Sequence, residues 1–215
     1  MLTEYRSASP IYLHDLNKIG FVIDTTGGGH SFGQMNIDGS GKKFLFRLPT
    51  NIILPVYNEN HREIFFSTYN NGYRCLAKSS IDGKDWEILL QQEPFNYVNA
   101  AINKEGDKLL FSSNESGVLD IFLMDLTDSS IAKIIGSEKD EDNPIWSNDE
   151  SGFYYRTRDL SHSSTTISFY STLEQSSTEI LVTPSQLSIC YYGVSPDETK
   201  IVLTVCDINS LYERY

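Results

Sequence analysis

One phrase, written five times, constrains this 215-residue chain more than any other feature. Each copy holds an apolar residue, a polar turn and then a short apolar strand. The leading apolar residues are Tyr12, Tyr57, Ile102, Trp146 and Val194, spaced 45, 45, 44 and 48 residues apart. A repeat of that length with strand-like patterning signals a radial array of small sheets, one four-stranded blade per repeat. The reading is all-β: a β-propeller of four-stranded blades, about five of them present and the last incomplete.

The copies align without gaps over residues 10–18, 55–63, 100–108, 144–152 and 192–200. Their centres are rich in Asn, Asp, Ser, Gly and Pro, which enter tight turns at low steric cost. The residues that follow alternate with a period of two. One column is Ile19, Ile64, Leu109, Phe153 and Ile201; a second is Phe21, Phe66, Phe111, Tyr155 and Leu203. Side chains two apart on a strand share a face, so this face is expected to be buried. The leading column, Trp146 included, is also read as core. Third strands are expected at 33–37, 74–78, 121–125 and 166–170, and fourth strands at 43–47, 86–90, 132–135 and 179–182. Asp38-Gly39 and Asp82-Gly83 fall between them as hairpin turns. The blades are placed at 7–48, 49–93, 94–137, 138–184 and 185–215, with 1–6 as a candidate closing strand.

Pro144-Ile-Trp-Ser-Asn-Asp149, Val194-Ser-Pro-Asp197 and Gly106-Asp-Lys-Leu-Leu-Phe-Ser-Ser113 resemble the repeat of TolB-type propellers, a cousin of the WD40-type blade. Repeats one and two depart from that pattern: they lack the Ser-Pro-Asp core and keep only the apolar frame. The resemblance implies the fold, and such blades serve binding proteins and enzymes alike. TolB-type rings usually have more than five blades. The chain therefore reads as part of a larger propeller, with closure by Leu2–Arg6 as the alternative.

A formal charge of −12 argues against nucleic acid, which needs clustered Lys and Arg, and favours a neutral or cationic partner. No apolar run is long enough to span a membrane, and residues 1–9 lack the apolar core of a signal peptide. These features favour the cytoplasm, whereas the TolB resemblance implies the periplasm. Cys75, Cys190 and Cys206 are read as small apolar core or edge residues, without a zinc motif. A Cys190–Cys206 bridge across a predicted hairpin is the minority alternative.

Motifs with chemical meaning are weak. Gly29-His-Ser-Phe-Gly33 matches G-x-S-x-G, but strand and turn residues follow it rather than a helix. No phosphate-binding Gly-Lys-Ser/Thr element accompanies these glycines. The acidic run Glu138–Asp142 is read as a solvated loop, with calcium binding as the lesser alternative. His14 and His61 occupy equivalent turns, a consequence of the repeat. Asn114-Glu-Ser116 is a glycosylation sequon in a turn of blade three. No catalytic residue, metal or cofactor is assigned.

The approach to each innermost strand is rich in amide, hydroxyl and carboxylate groups. In a propeller such segments gather at the channel mouth. Asn51, Tyr97, Asn99, Asp142, Asn143 and Gln186 are therefore the candidate binding residues, with Tyr97 as an apolar wall. The preferred function is a non-catalytic TolB-like module that holds a protein, peptide or glycan partner. The resemblance offers one alternative, the gating propeller of a prolyl-oligopeptidase-type serine peptidase whose catalytic domain lies outside these residues. A glycan-cleaving ring is disfavoured, because Asp142 is the only acid in the approach segments.

Overall fold

The computed structural model describes residues 7–24, 29–159, 164–184 and 187–207. Their fold is that of β-propeller blades, with a single short 3-10 turn at His14–Leu16. Sheet one comprises β1 (Ser7–Leu13), β2 (Lys18–Asp24), β3 (His30–Asn36) and β4 (Lys43–Arg47). Sheet two follows with β5 (Ile53–Asn58), β6 (Glu63–Asn70), β7 (Tyr73–Ser80) and β8 (Trp86–Leu90). In sheet three are β9 (Tyr97–Ile102), β10 (Lys108–Ser113), β11 (Asp120–Asp125) and β12 (Ile131–Ile135). Sheet four has β13 (Asp140–Trp146), β14 (Gly152–Asp159), β15 (Ser164–Ser171) and β16 (Ser176–Val182). The fifth sheet has two strands among the described residues, β17 (Leu187–Val194) and β18 (Ile201–Asp207). Every sheet is ordered as the chain runs. The chain divides into two compact units, 1–109 and 110–215, with the boundary inside β10.

The repeated phrase is a repeated hairpin. One residue of each inner turn adopts a left-handed conformation: Asn17, Arg62, Gly106, Glu150 and Glu198. Glycine meets a second demand at Gly106, where a Cβ would lie 2.5 Å from Asn58 Oδ1. The Asn58 amide donates to the Gly106 carbonyl at 3.2 Å, tying blade two to the turn of blade three. The two Asp-Gly turns form as read, with Gly39 and Gly83 at positive φ and their N–H groups bonded to Asn36 and Ser80 carbonyls.

Burial follows the period-two columns in the four-stranded sheets except at Ile19, which is half-buried. Ile64, Leu109, Phe153, Phe66 and Phe111 are all essentially inaccessible. Ile201 and Leu203 of the two-stranded fifth sheet are half-buried. The leading column is not core as expected: Tyr12 is 42% exposed, and Tyr57, Ile102, Trp146 and Val194 are half-buried. Register explains the difference. Tyr57 lies opposite Ile64 and Trp146 opposite Phe153, so there the strand-two partner takes the interior and the leading residue covers it near the turn, whereas Ile19, opposite Tyr12, is itself half-buried. Trp146 meets Phe153 edge-on at 6.1 Å. In the first unit the core runs between sheets one and two, joining Leu13, Val22 and Phe32 to Ile52, Ile64 and Phe66.

The cysteine reading needs correction. Cys190 and Cys206 form a disulfide between β17 and β18, with Cα atoms 6.2 Å apart. The register shifts between Ile189 and Tyr191, so Cys190 is the extra residue of a bulge that re-aims its side chain. Cys75 is free and buried.

Two stability measurements test this packing. Phe153→Ala should cost about 3–5 kcal/mol in denaturant unfolding, and Trp146→Ala about half as much; equal losses would contradict the assigned roles. Replacing both Cys190 and Cys206 by Ala should remove about 3 kcal/mol, the scale for a loop of roughly 15 residues. The variant's unfolding midpoint should then no longer respond to reductant.

Candidate functional site

A second periodic feature underlies the candidate site. Ser9, Leu54, Asn99 and Asn143 each have a left-handed backbone, three residues before the leading apolar column. The ladders of β1, β5 and β13 slip at these points, between Ala8 and Ile11, Ile53 and Val56, and Asp142 and Ile145. An inserted residue of this kind bends the strand and turns its side chain out of the pleat. All four are half-exposed, and Asn99 and Asn143 each lie between two buried neighbours, Val98 and Ala100 for the first, Asp142 and Pro144 for the second. Asparagine tolerates this conformation better than most L-residues, which accounts for its use in two of the four positions.

The candidate residues from the sequence fall into different environments. Asn99 and Asn143 share a left-handed backbone at equivalent positions, and the ladder of β13 slips at Asn143. Asn51 precedes β5 and is half-buried. Tyr97 is fully buried at the start of β9, so its ring belongs to the interior. Asp142 is 3% exposed and directed into sheet four. Gln186 lies outside the described residues.

Asp142 anchors a network that the sequence reading missed. Arg156 on β14 holds it with a two-pronged contact, Nε to Oδ1 at 2.6 Å and Nη2 to Oδ2 at 2.7 Å. Arg158 Nη2 adds a third contact to Oδ2 at 3.1 Å. The remaining guanidinium nitrogen of Arg156 donates to the carbonyls of Ile189 and Cys190 on β17, both at 2.6 Å. One buried cation thus joins blade four to the bulge of blade five. The Tyr192 hydroxyl donates to the Asn143 carbonyl at 2.6 Å and reinforces the junction. Burial pushes the Tyr192 phenol well above its usual range, and the Asp142 charge adds to the effect. The repeat carried a usable signal: Arg156 follows Val22, Ser67 and Ser112 in one strand-two column, so a lone charge stands in a packed position.

The acidic run is a solvated loop only at Glu138 and Lys139, which are exposed. Asp140–Asp142 lie within β13. Asp140 accepts the Leu119 N–H at 2.9 Å and contacts Arg158, while Glu141 and Asp142 are buried. No group of three His, Cys, Asp or Glu residues converges to hold a metal ion among the described residues. No helix there is long and apolar enough to cross a membrane.

The G-x-S-x-G motif has another use. Ser31 lies inside β3, paired with Ile23 and Arg47. His30 is engaged at both nitrogens, with Nε2 3.0 Å from Asp24 and Nδ1 3.0 Å from the Ile52 backbone. The residues form part of a strand and its link to β5, and the sharp strand-to-helix turn of a nucleophile elbow is absent from this described segment. His14 and His61 are exposed turn residues, the first edge-on to Tyr12 and the second beside the Asn58 amide. His162 lies outside the described residues.

The fold of these blades is that of a TolB-like β-propeller. No protein-family model and no curated protein matches the sequence. Among solved structures, the chain is similar to a putative TolB from Agrobacterium tumefaciens, with TM-score 0.75 and 15% identity over 94% of this chain and 71% of that one. TolB from Acinetobacter baumannii gives 0.70 and 12% over 94% of this chain and 52% of the other. A puromycin-hydrolysing peptidase of Mycobacterium tuberculosis gives 0.67 and 11%, over 88% of this chain and 33% of its own. The chain thus spans about half of the Acinetobacter protein and a third of the peptidase.

Arg156→Met should destabilise by about 3–5 kcal/mol, because it leaves the Asp142 carboxylate buried with one cation fewer. Adding Asp142→Leu should recover much of the loss in denaturant titrations. A loss unchanged in the double variant would place the cost elsewhere.

Proposed function

We propose that the chain is a non-catalytic binding module that receives an extended protein or peptide segment on its innermost strands. One observation carries the reading: the bulge column repeatedly turns a half-exposed side chain out of a packed strand, and two of its four members are amides. An amide offers both a donor and an acceptor, which suits hydrogen bonding to a peptide backbone. Asn51 belongs to the same approach region and extends the polar surface of the first unit. Tyr97 and Asp142 act from beneath, holding the strands that present these amides. The charge of −12 favours a neutral or cationic segment. The similarity to TolB structures supports a propeller scaffold for this role. The Cys190–Cys206 bridge supports an oxidising compartment such as the periplasm over the cytosol.

A second reading, the gating propeller of a serine peptidase, draws support from the similarity to the mycobacterial peptidase, of which these residues would correspond to one third. In that arrangement a catalytic domain carries the nucleophile, and the blades restrict access to it.

The test is binding of the chain to an arrayed library of extended peptides spanning neutral to cationic composition. Asn99→Ala and, in a separate variant, Asn143→Ala should each weaken binding of the peptides that engage that strand about fivefold, the loss of roughly one hydrogen bond, at an unchanged melting temperature. Unaltered affinity would remove the bulge column from the site.

A further inference from the structure

Glu141 breaks a rule that its own repeat establishes. In copies two, three and five the equivalent residues are Ile52, just before β5, Tyr97 and Ile189, and these three are buried and uncharged. Glu141 is as buried as they are, at 3% exposure. It lies across a junction from a second acid, Asp120, which is fully buried at the start of β11. Several contacts draw the two together. The Glu141 N–H donates to the carbonyl of Leu119, the residue before Asp120, at 2.6 Å. Consecutive residues of the segment between β12 and β13 touch both acids: Ser137 donates to Glu141 Oε1 at 2.5 Å, and a Cβ on Gly136 would lie 3.1 Å from the Asp120 carboxyl.

The charges around this pair do not balance two carboxylates. Asp120 Oδ2 accepts from Lys133 at 3.1 Å and from Ser116 at 2.5 Å. Asp140, beside Glu141 on β13, adds another negative charge. From β14, Arg158 contacts Asp140 and Asp142, and Arg156 is taken up by Asp142 and the β17 carbonyls. The oxygens Glu141 Oε2 and Asp120 Oδ1 are buried without a hydrogen-bond partner. Lys133 is thus the cation placed on the pair. A second buried, partly unsatisfied carboxylate would be costly, whereas a neutral acid carries no such charge penalty.

We propose that Glu141 is kept as a neutral carboxylic acid beside the Asp120 carboxylate, so that one proton is a structural component of the β11–β13 junction and its loss loosens that junction. Burial and the nearby Asp120 charge raise the Glu141 carboxyl above its ordinary value, while the Ser137 hydroxyl opposes the rise. A raised folded-state pKa gives stability that is complete below the unfolded value and is lost as pH rises through the folded one. This inference is independent of the peptide-binding reading.

The test compares the full chain with Glu141→Gln and Asp120→Asn. Infrared spectra of the wild type should show a protonated carboxyl band above the pH at which free glutamate ionises, and Glu141→Gln should abolish it. The melting-temperature advantage of Glu141→Gln over the wild type should be smallest near pH 4 and should grow toward pH 8. Asp120→Asn should shift the disappearance of the band to lower pH, a readout that stands even if the Gln variant folds poorly. Lack of the band in the wild type, a pH-independent difference between wild type and Gln variant, or a band unmoved by Asp120→Asn would each overturn the proposal.

Discussion

The structure depends on burying the second strand of each sheet. Strands β6 and β10 bury apolar side chains on both faces, at Ile64–Phe66 and Leu109–Phe111, and, like β14, have a strand on either side. A sheet in such a position needs cover on both faces, which a single repeat cannot provide. In the first unit the cover comes from the neighbouring sheet, as Val22, Phe32, Ile52, Ile64 and Phe66 belong to one core cluster. The hydrophobic term is thus satisfied between repeats more than within them.

Polar contacts then set the spacing between sheets. At the start of two third strands the backbone reaches toward the next innermost strand: the Arg74 N–H bonds Asn96, and the Leu119 N–H bonds Asp140. Different side chains perform one task at matching positions. Blades four and five strengthen it with the Arg156–Asp142 pair, where the carbonyls of a bulge are bonded by a buried guanidinium.

How much of this was legible depended on period. The strand-two columns repeat with spacing 45, 45 and 44 in the first four copies, so their burial followed from side-chain alternation. Asp-Gly pairs marked two turns because they supply the required backbone geometry. Bulges were harder to read: Ser9, Leu54, Asn99 and Asn143 share a conformation but no residue type, and leucine gives no hint of it. The slip also explains why Trp146 covers the interior instead of entering it. Burial of Asp140–Asp142 was hidden because acids that find partners in space look, along a chain, like acids in water. The Arg156 and Arg158 that receive Asp140 and Asp142 lie 14 to 18 positions later. Tyr97 was misplaced for the opposite reason, since an aromatic beside asparagines suggests a surface when only its backbone neighbours are polar.

The simple strand order has a consequence for biosynthesis. Each four-stranded sheet pairs only strands adjacent in sequence, so a blade needs no distant segment to complete its ladders. Low sequence separation reduces the loop entropy of each pairing. A ribosome releasing this polypeptide therefore delivers finished meanders one after another, each offering an apolar flank to its successor. Nascent sheet four must wait for Cys190 to emerge before Arg156 can spend its last donor on a carbonyl, making the growing end the least protected part of the chain.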